Sequence, residues 1–313
     1  MTATMGWQAG RYDLAIAYRI YPGIAGVARD FPFGGDKLRQ AEVCLRSLRN
    51  SLGSLRVKIW AILDGCPPEY RALFERYFPA EDLVLLDLNH VGNRATFVKQ
   101  MDVLLSQENA ELVYFAEDDY LYLPGQFELM LEFLREHPGM DFVTPYDHQD
   151  CYHLDLHRGP KWLTIFEGHH WRTAASTCLT FLTRKTTLAK YQRVFRTYAR
   201  RNTDCGLWLS LTKWRVFNLP ALLRFVARKE FYWKNIVKAW IFCWPQILFG
   251  KRVRLWVPVP GIATHLSAGL LSPGVDWLAL MRGKAQAQEA PEHPVRRGVA
   301  QTGYPPRPDY PNR

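Results

Sequence analysis

The sequence predicts an α/β protein built on a doubly wound, mostly parallel sheet, with a helical, basic elaboration in its second half. Three observations lead to this. Short runs rich in β-branched and aromatic residues recur at 14–18, 57–63, 83–88 and 112–116, without the polar alternation of a half-solvated sheet. Helical spacing of apolar residues fills the intervals between them, the rhythm of a parallel sheet with right-handed crossovers. Finally, Lys213 to Trp256 holds ten Lys or Arg against one acid, Glu230, and so carries most of the formal net charge of +10.

Leu14 to Tyr18 reads as the first strand, and the Gly/Pro-containing loop 19–35 after it carries Arg19, Tyr21 and Pro22. Ala41, Cys44, Leu45, Leu48 and Leu52 then mark one face of a helix that Gly53 closes. Val57 to Leu63 is the second strand and ends in Asp64-Gly65, after which Pro67 and Pro68 open a short helix to Phe78. Leu83 to Leu88 is the third strand. Asn89 to Asn93 turns into a helix over 94–105. The fourth strand, Val113 to Ala116, is apolar throughout and stops at Glu117, Asp118 and Asp119. Pro124 starts a helix to His137, and Phe142 to Thr144 is a fifth strand.

Past 145 the alternation fails. Residues 146–172 hold His148, Asp150, Cys151, His153, Asp155, His157, His169 and His170 in a loop-like setting, expected to bind an acceptor rather than zinc because no metal-ligand spacing is present. A small-residue turn and buried strand follow at 174–183, a basic helix at 186–200, and a helix at 204–212 opened by Asn202-Thr203-Asp204. From Pro220 to Trp244 a single amphipathic helix is expected. Leu222, Val226, Trp233, Ile236, Val237, Trp240 and Trp244 fall on one side of it and Arg224, Arg228, Lys234 and Lys238 on the other, with Lys229 and Phe231 breaking the pattern. Such a helix suits an anionic membrane surface, or a packed position with an ordinary solvated face. The Pro-rich stretch from 282 has too few large apolar residues to order itself. The expected organisation is thus an α/β half, 1–145, a second half with the polar acceptor-binding loop and the amphipathic basic helix, 146–281, and a disordered tail, 282–313.

Six scattered cysteines form no C-x-x-C pair, so neither a zinc knuckle nor a disulfide framework is indicated. The polar start lacks a secretory h-region, and the longest charge-poor stretch is broken by Pro258, Pro260, Gly261 and Pro273. A cytoplasmic protein, peripheral on the inner face of a membrane, is the resulting expectation.

The chemistry gathers at Glu117, Asp118 and Asp119. In open α/β sheets ligands bind outside the carboxyl ends of strands, and residues two apart on extended backbone point the same way. Adjacent acids repel unless a cation joins them, and oxygen ligands of this kind suit Mg²⁺ or Mn²⁺ shared with substrate phosphates. No P-loop or dinucleotide glycine fingerprint competes for a phosphate role.

Taken together, these stretches resemble the family 2 glycosyltransferases of GT-A fold, well over 12–145 and more loosely over 165–270. The resemblance implies a nucleotide-sugar donor, a divalent cofactor, Mn²⁺ or Mg²⁺, and an unidentified glycan or lipid-linked acceptor, with no nucleic acid. It implies that Asp64 contacts the donor base and that Asn89, Gly92, Arg94 and Ala95 form the family's Asn-x-x-Gly turn. Glu117-Asp118-Asp119 stands where the Asp-x-Asp motif stands, with Glu in place of the ribose-contacting Asp and Asp119 on the metal. Ala174, Ala175 and Ser176 resemble the loop that lines the donor sugar, and Tyr21 and Asp118 join the donor-binding set. Thr203-Asp204 is similar to the family's Glu-Asp motif, whose Asp is the base, and His265 to a late metal ligand. The implied reaction is inverting transfer to an acceptor hydroxyl, with Asp204 taking the proton. Two alternatives stand beside it: a sugar-nucleotide pyrophosphorylase, although 19–29 lack the Gly-rich loop such enzymes open with, and a non-catalytic basic membrane-binding module.

Overall fold

The computed structural model describes residues 11–23, 33, 35–230, 232–267 and 269–281. The expected tail 282–313 and the pattern break at Phe231 lie outside the described residues, as does most of the loop after the first strand.

Strands β1 (Leu14–Ile20), β2 (Val57–Asp64), β3 (Leu83–Leu88) and β4 (Leu112–Glu117) form the parallel part of the sheet in the order β3-β2-β1-β4. Every residue of β1 is buried because both of its faces are covered. Leu14, Ile16 and Tyr18 meet helices α1 (Lys37–Ser51) and α2 (Pro68–Tyr77), while Ala15 and Ala17 face α3 (Asn93–Ser106). Full burial is why this strand carries no polar alternation. The Asp36 carboxylate caps α1 by accepting from the Arg39 amide at 2.9 Å, and Gly53 follows its end at φ +55°. Gln100, fully buried on α3, donates from its side-chain amide to the carbonyls of Ala17 (2.7 Å) and Ala116 (2.9 Å), locking the helix over the ends of β1 and β4.

A short strand β5 (Tyr120–Tyr122) and helix α4 (Glu128–Glu136) precede β6 (Phe142–Val143). The region expected to be a loop, 146–172, is more ordered than that. It contains a helical turn α5 (Asp150–His153) and strand β7 (Leu163–Phe166), and β8 (His169–Ala174) begins within it, pairing antiparallel with β7 across a tight turn at Glu167-Gly168. Asp147, fully buried, holds it through an ion pair with Arg172 on β8 and accepts from the Tyr152 hydroxyl at 2.6 Å. Among the described residues no group of three or more His, Cys, Asp or Glu is placed to hold a metal ion, in this region or elsewhere.

Beyond it, β9 (Phe181–Arg184), β10 (Leu255–Val259) and β11 (Ala263–His265) complete the strands, with α6 (Lys185–Phe195) and α7 (Asp204–Thr212) between. The large sheet runs β3-β2-β1-β4-β9-β6-β10-β8-β7, so β10 is inserted into its interior and one sheet spans both expected halves. Only β8 and β9 run against the direction of the others. β11 pairs with β5 in a separate two-stranded ribbon.

The single helix expected over 220–244 is two helices. α8 (Leu219–Ala227) is capped by Asn218 and ends at Arg228; Lys229 takes φ +55°, and α9 (Tyr232–Phe249) starts afresh. The aromatic stripe is therefore not one free face. Ile236 and Ala239 are buried with Leu209 of α7, and Trp233 and Trp240 pack against the same cluster. The apolar residues left exposed are others, chiefly Phe217, Leu219 and Leu223 around the start of α8 and Ile241, Trp244 and Phe249 on α9. No described helix is long and apolar enough to cross a membrane.

Candidate active site

The carboxyl ends of β1, β2 and β4 open into a cleft of about 530 Å³ lined by Arg19, Lys37, Asp64, Glu117, Asp118, Asp119 and His265 together with the loop residues between them. Each acid has a separate partner. Glu117 forms a short ion pair with Arg19 and accepts from the Thr180 hydroxyl at 2.8 Å. Arg19 is in turn held by the Asn93 side chain and by its carbonyl at 2.8 Å. Asp118 accepts from Lys37 at 3.0 Å and from the backbone of Tyr21 at 3.1 Å, so it ties the start of α1 to the loop after β1.

Asp119 differs. Its Oδ2 lies 3.0 Å from His265 Nε2, while its Oδ1 is buried and meets no protein donor. The ribbon makes this approach: His265 of β11 stands opposite Tyr120 of β5, and the Leu266 amide donates to the Asp119 carbonyl at 2.8 Å. Burial works against ionised Asp119, yet His265, Lys37 and Arg19 hold its pKa below the ordinary carboxylate value. Burial and the neighbouring Asp119 raise Asp118 despite Lys37. For His265 burial acts downward, but the Asp119 charge and hydrogen bond dominate and push its pKa up to about 9. The orphaned Asp119 Oδ1 is an oxygen ligand of the kind Mg²⁺ or Mn²⁺ takes, with waters and phosphate oxygens filling the rest of the shell, and His265 could join it only by giving up the proton that its contact with Asp119 stabilises.

Asp64 is also committed. Its two oxygens accept from the amides of Val91 (2.7 Å) and Gly92 (2.8 Å), fixing the turn that leads into α3. Gly65 beside it takes φ +67°, and a Cβ there would lie 2.1 Å from the His90 ring, so any other residue strains the backbone and displaces His90. His90 and Gly92 line the cleft, whereas Asn89 and Arg94 are exposed and stand outside its wall. Tyr21 lines it, half exposed. Ser176 is likewise absent from the wall and lies beside Cys205.

Asp204 opens α7 at the border of this site, where its charge is felt by Cys178 and Tyr198. It is not the helix cap. Thr203 is, through its hydroxyl and the Gly206 amide at 3.0 Å, and the same hydroxyl donates to Asn235 of α9 at 2.9 Å. Asp204 accepts only from the adjacent Cys205 amide at 2.7 Å. Burial raises its pKa above the ordinary carboxylate value; the Cys205 amide opposes this and Glu117 adds to it. Sequence reasoning did not single out Lys37 and Thr180, which hold Asp118 and Glu117, Asn93, which holds Arg19, or Gln100, which fixes α3 to β1 and β4.

No family profile matches this sequence, and no curated protein matches it. Among solved structures the chain is similar to residues 1–349 of S. aureus TarS, with 15% identity over 60% of this chain and 55% of that one, about half its length, at a TM-score of 0.36. It is similar to the mannosyltransferase PcManGT from Pyrobaculum calidifontis, determined with GDP-Man and Mn²⁺, at 10% identity over 43% of this chain and 35% of that one, TM-score 0.31. The 4-diphosphocytidyl-2C-methyl-D-erythritol synthase from Anaerococcus prevotii shares 10% identity over 63% and 83%, TM-score 0.37. At such overlaps the functional reading rests on this chain's own residues.

Proposed function

We propose that the protein is a glycosyltransferase that moves a sugar from a nucleotide-diphosphate donor to an acceptor hydroxyl with inversion. The observation that carries this is Asp119, buried beside His265 with one oxygen left without a protein donor, at the strand end that faces a cleft of about 530 Å³, a size suited to a nucleotide-sugar. A divalent ion held by Asp119 and His265 would supply Lewis-acid stabilisation of the departing diphosphate. Arg19 and Lys37 add fixed positive charge on the same wall, and their own carboxylate partners keep them oriented. Glu117 is held by Arg19 and Thr180, which leaves it a positioning group as much as a ribose contact. Asp64 shapes the turn against which the base lies. Asp204 accepts the acceptor proton: a partly buried carboxylate with one backbone donor retains the basicity for that step. In this reading the acceptor is a glycan or a lipid-linked molecule, and the exposed apolar residues of α8 and α9 amid basic ones support a reaction at an anionic membrane surface.

Incubation with UDP-, GDP- and dTDP-sugars and Mn²⁺ tests the reading. Release of nucleoside diphosphate supports it. Formation of nucleoside triphosphate when pyrophosphate is added identifies a pyrophosphorylase instead, and the absence of both reactions with every donor leaves a binding module.

A further inference from the structure

A second cavity, of about 580 Å³, lies apart from the donor cleft between the 158–160 segment and the turn that joins α7 to α8. Arg158, Lys213, Arg215 and Arg252 line it, and no carboxylate does. A neighbouring cavity shares Arg158 and Arg215 and adds Arg224 and Arg228, with Asp155 the single acid; a third shares Arg252 and adds Lys161 and Arg254. Asp155 is divided between Arg158 at 3.0 Å and Arg228 at 3.4 Å, so most of this charge is not neutralised. Lys161 registers the crowding: burial first, then Arg172 and Arg215, pull its pKa down to about 8.

The cavity is built rather than incidental. Its floor is Trp214, whose ring nitrogen donates to the Leu156 carbonyl at 2.7 Å, with the Lys161 ammonium 3.9 Å from the ring centre. Gly159 lies so close that a Cβ there would sit 2.9 Å from that ring. On either side of Trp214 the backbone is left-handed, at φ +50° for Lys213 and +55° for Arg215. Two such non-glycine residues carry a conformational cost that glycine would avoid, and they turn both cations towards one opening. Asn218 and Pro220, at the start of the nine-residue helix α8, also line it and add the positive end of the helix dipole. Phe217, in the wall itself, is 60% exposed, as are Leu219 and Leu223 just beyond.

We propose that this cavity binds the phosphate of an anionic lipid headgroup while Phe217, Leu219 and Leu223 enter the boundary of the bilayer. Cations with exposed aliphatic side chains beside them match a charged, apolar-backed surface. Free phosphate has no use for Leu219 and Leu223, and although Trp214 and Phe217 could stack on a base, a single-stranded nucleic acid leaves those two exposed aliphatic side chains without a role. The proposal rests on the membrane part of the reading above and assigns it to particular residues.

The test is cosedimentation with vesicles of phosphatidylcholine alone or with phosphatidylglycerol, for the parent, for Lys213→Gly with Arg158→Gln, and for Leu219→Ser with Leu223→Ser. Glycine suits the left-handed position, so loss of Lys213 leaves the melting temperature unchanged or higher. The expected result is sedimentation of the parent with phosphatidylglycerol vesicles only, and weakening of about fivefold per cation removed, the equivalent of about 1 kcal/mol each. The leucine variant weakens as well. A parent that stays in the supernatant overturns both the cavity and the membrane reading. If the parent sediments and the Lys213/Arg158 variant sediments equally well, the cavity assignment falls while membrane association stands. Release from the vesicles by millimolar pyrophosphate with no loss in the leucine variant assigns the site to a soluble phosphate, and tight oligonucleotide binding without vesicle binding assigns it to nucleic acid; either overturns the proposal.

Discussion

His265 Nε2 lies 3.0 Å from Asp119 Oδ2 although 146 residues separate them, because β11 pairs with β5 directly after the acidic strand end. The ribbon thereby sets an imidazole beside the carboxylate proposed to hold the metal. His265→Ala, and Asp119→Ala more completely, are expected to lose Mn²⁺-dependent binding of the donor nucleotide while folding persists. Calorimetry of UDP or GDP with and without Mn²⁺ checks this; a His265→Ala protein that binds as tightly as the parent removes His265 from the metal site.

Arg19 and Glu117 form a largely buried pair, with Asn93 and Thr180 satisfying the remaining groups. Arg19→Met leaves Glu117 charged with only a hydroxyl for company, and removing one partner of such a pair costs about 3–5 kcal/mol. The double variant Arg19→Met/Glu117→Gln is expected to recover most of that. Urea unfolding of the parent, Arg19→Met, Glu117→Gln and the double variant measures the coupling, and equal stability of parent and Arg19→Met contradicts it.

Asp204→Asn separates catalysis from stability. Burial raises the Asp204 pKa, so the native state holds its proton more tightly than the unfolded chain. Its favourable contribution is therefore complete below the ordinary carboxylate pKa and is lost as pH rises through the raised native value. The Asn variant has no such dependence and is expected to match the parent in acid and equal or exceed it at neutral pH. Transfer falls by about 10² or more. Parent activity also declines as pH drops through the same raised value. If the Asn variant turns over within a few fold of the parent, the base lies elsewhere, Asp150 and Asp155 being the next carboxylates to replace.

Asp64→Ala strips the acceptors from the Val91 and Gly92 amides. Val91 and Gly92 are exposed, so water can take over part of these bonds and the loss stays at or below the net worth of a hydrogen bond to a charged group, about 1.5–3 kcal/mol each; the turn into α3 loosens and donor affinity drops. Asp64→Asn keeps one acceptor oxygen and is expected to fall between Ala and parent. Thermal shift with and without UDP distinguishes the three, and an Ala variant with parental affinity shows that the turn does not need the carboxylate.

Much of the first half was legible because its signals are local. A strand buried on both faces is uniformly apolar, and helices α1 to α3 fill the intervals between such strands, so 14–117 followed the expected order, whereas the short strand β5 (Tyr120–Tyr122) was not anticipated. The acids at the end of β4 were visible for the same reason. Their partners were not: Lys37, Asn93 and Thr180 look like ordinary polar residues until the chain brings them together. In the second half, Leu163–Phe166 and His169–Ala174 were read within a loop because their His and Thr content hid the alternation, although the two-residue turn Glu167-Gly168, with both φ angles positive, is a hairpin signal. β10 was missed because Pro258 argues against an interior strand. The stretch 220–244 was read as one helix because a wheel drawn through Arg228 to Phe231 cannot register a helix break, and of the two positions offered for its Trp side, membrane or packed, Trp233 and Trp240 take the packed one against the α7 cluster while Trp244 stays exposed.

β10 lies between β6 and β8, far from its neighbours in the chain. On a ribosome adding about 5–20 residues per second, β6 and the β7–β8 hairpin wait on the order of ten seconds for the strand that joins them. Throughout that time they present unpaired edges, the kind that recruit other chains. Yield in a cell is thus set by how well nascent chains are shielded during this interval, and variants that weaken β10 will be found in inclusion bodies before they are found to be unstable.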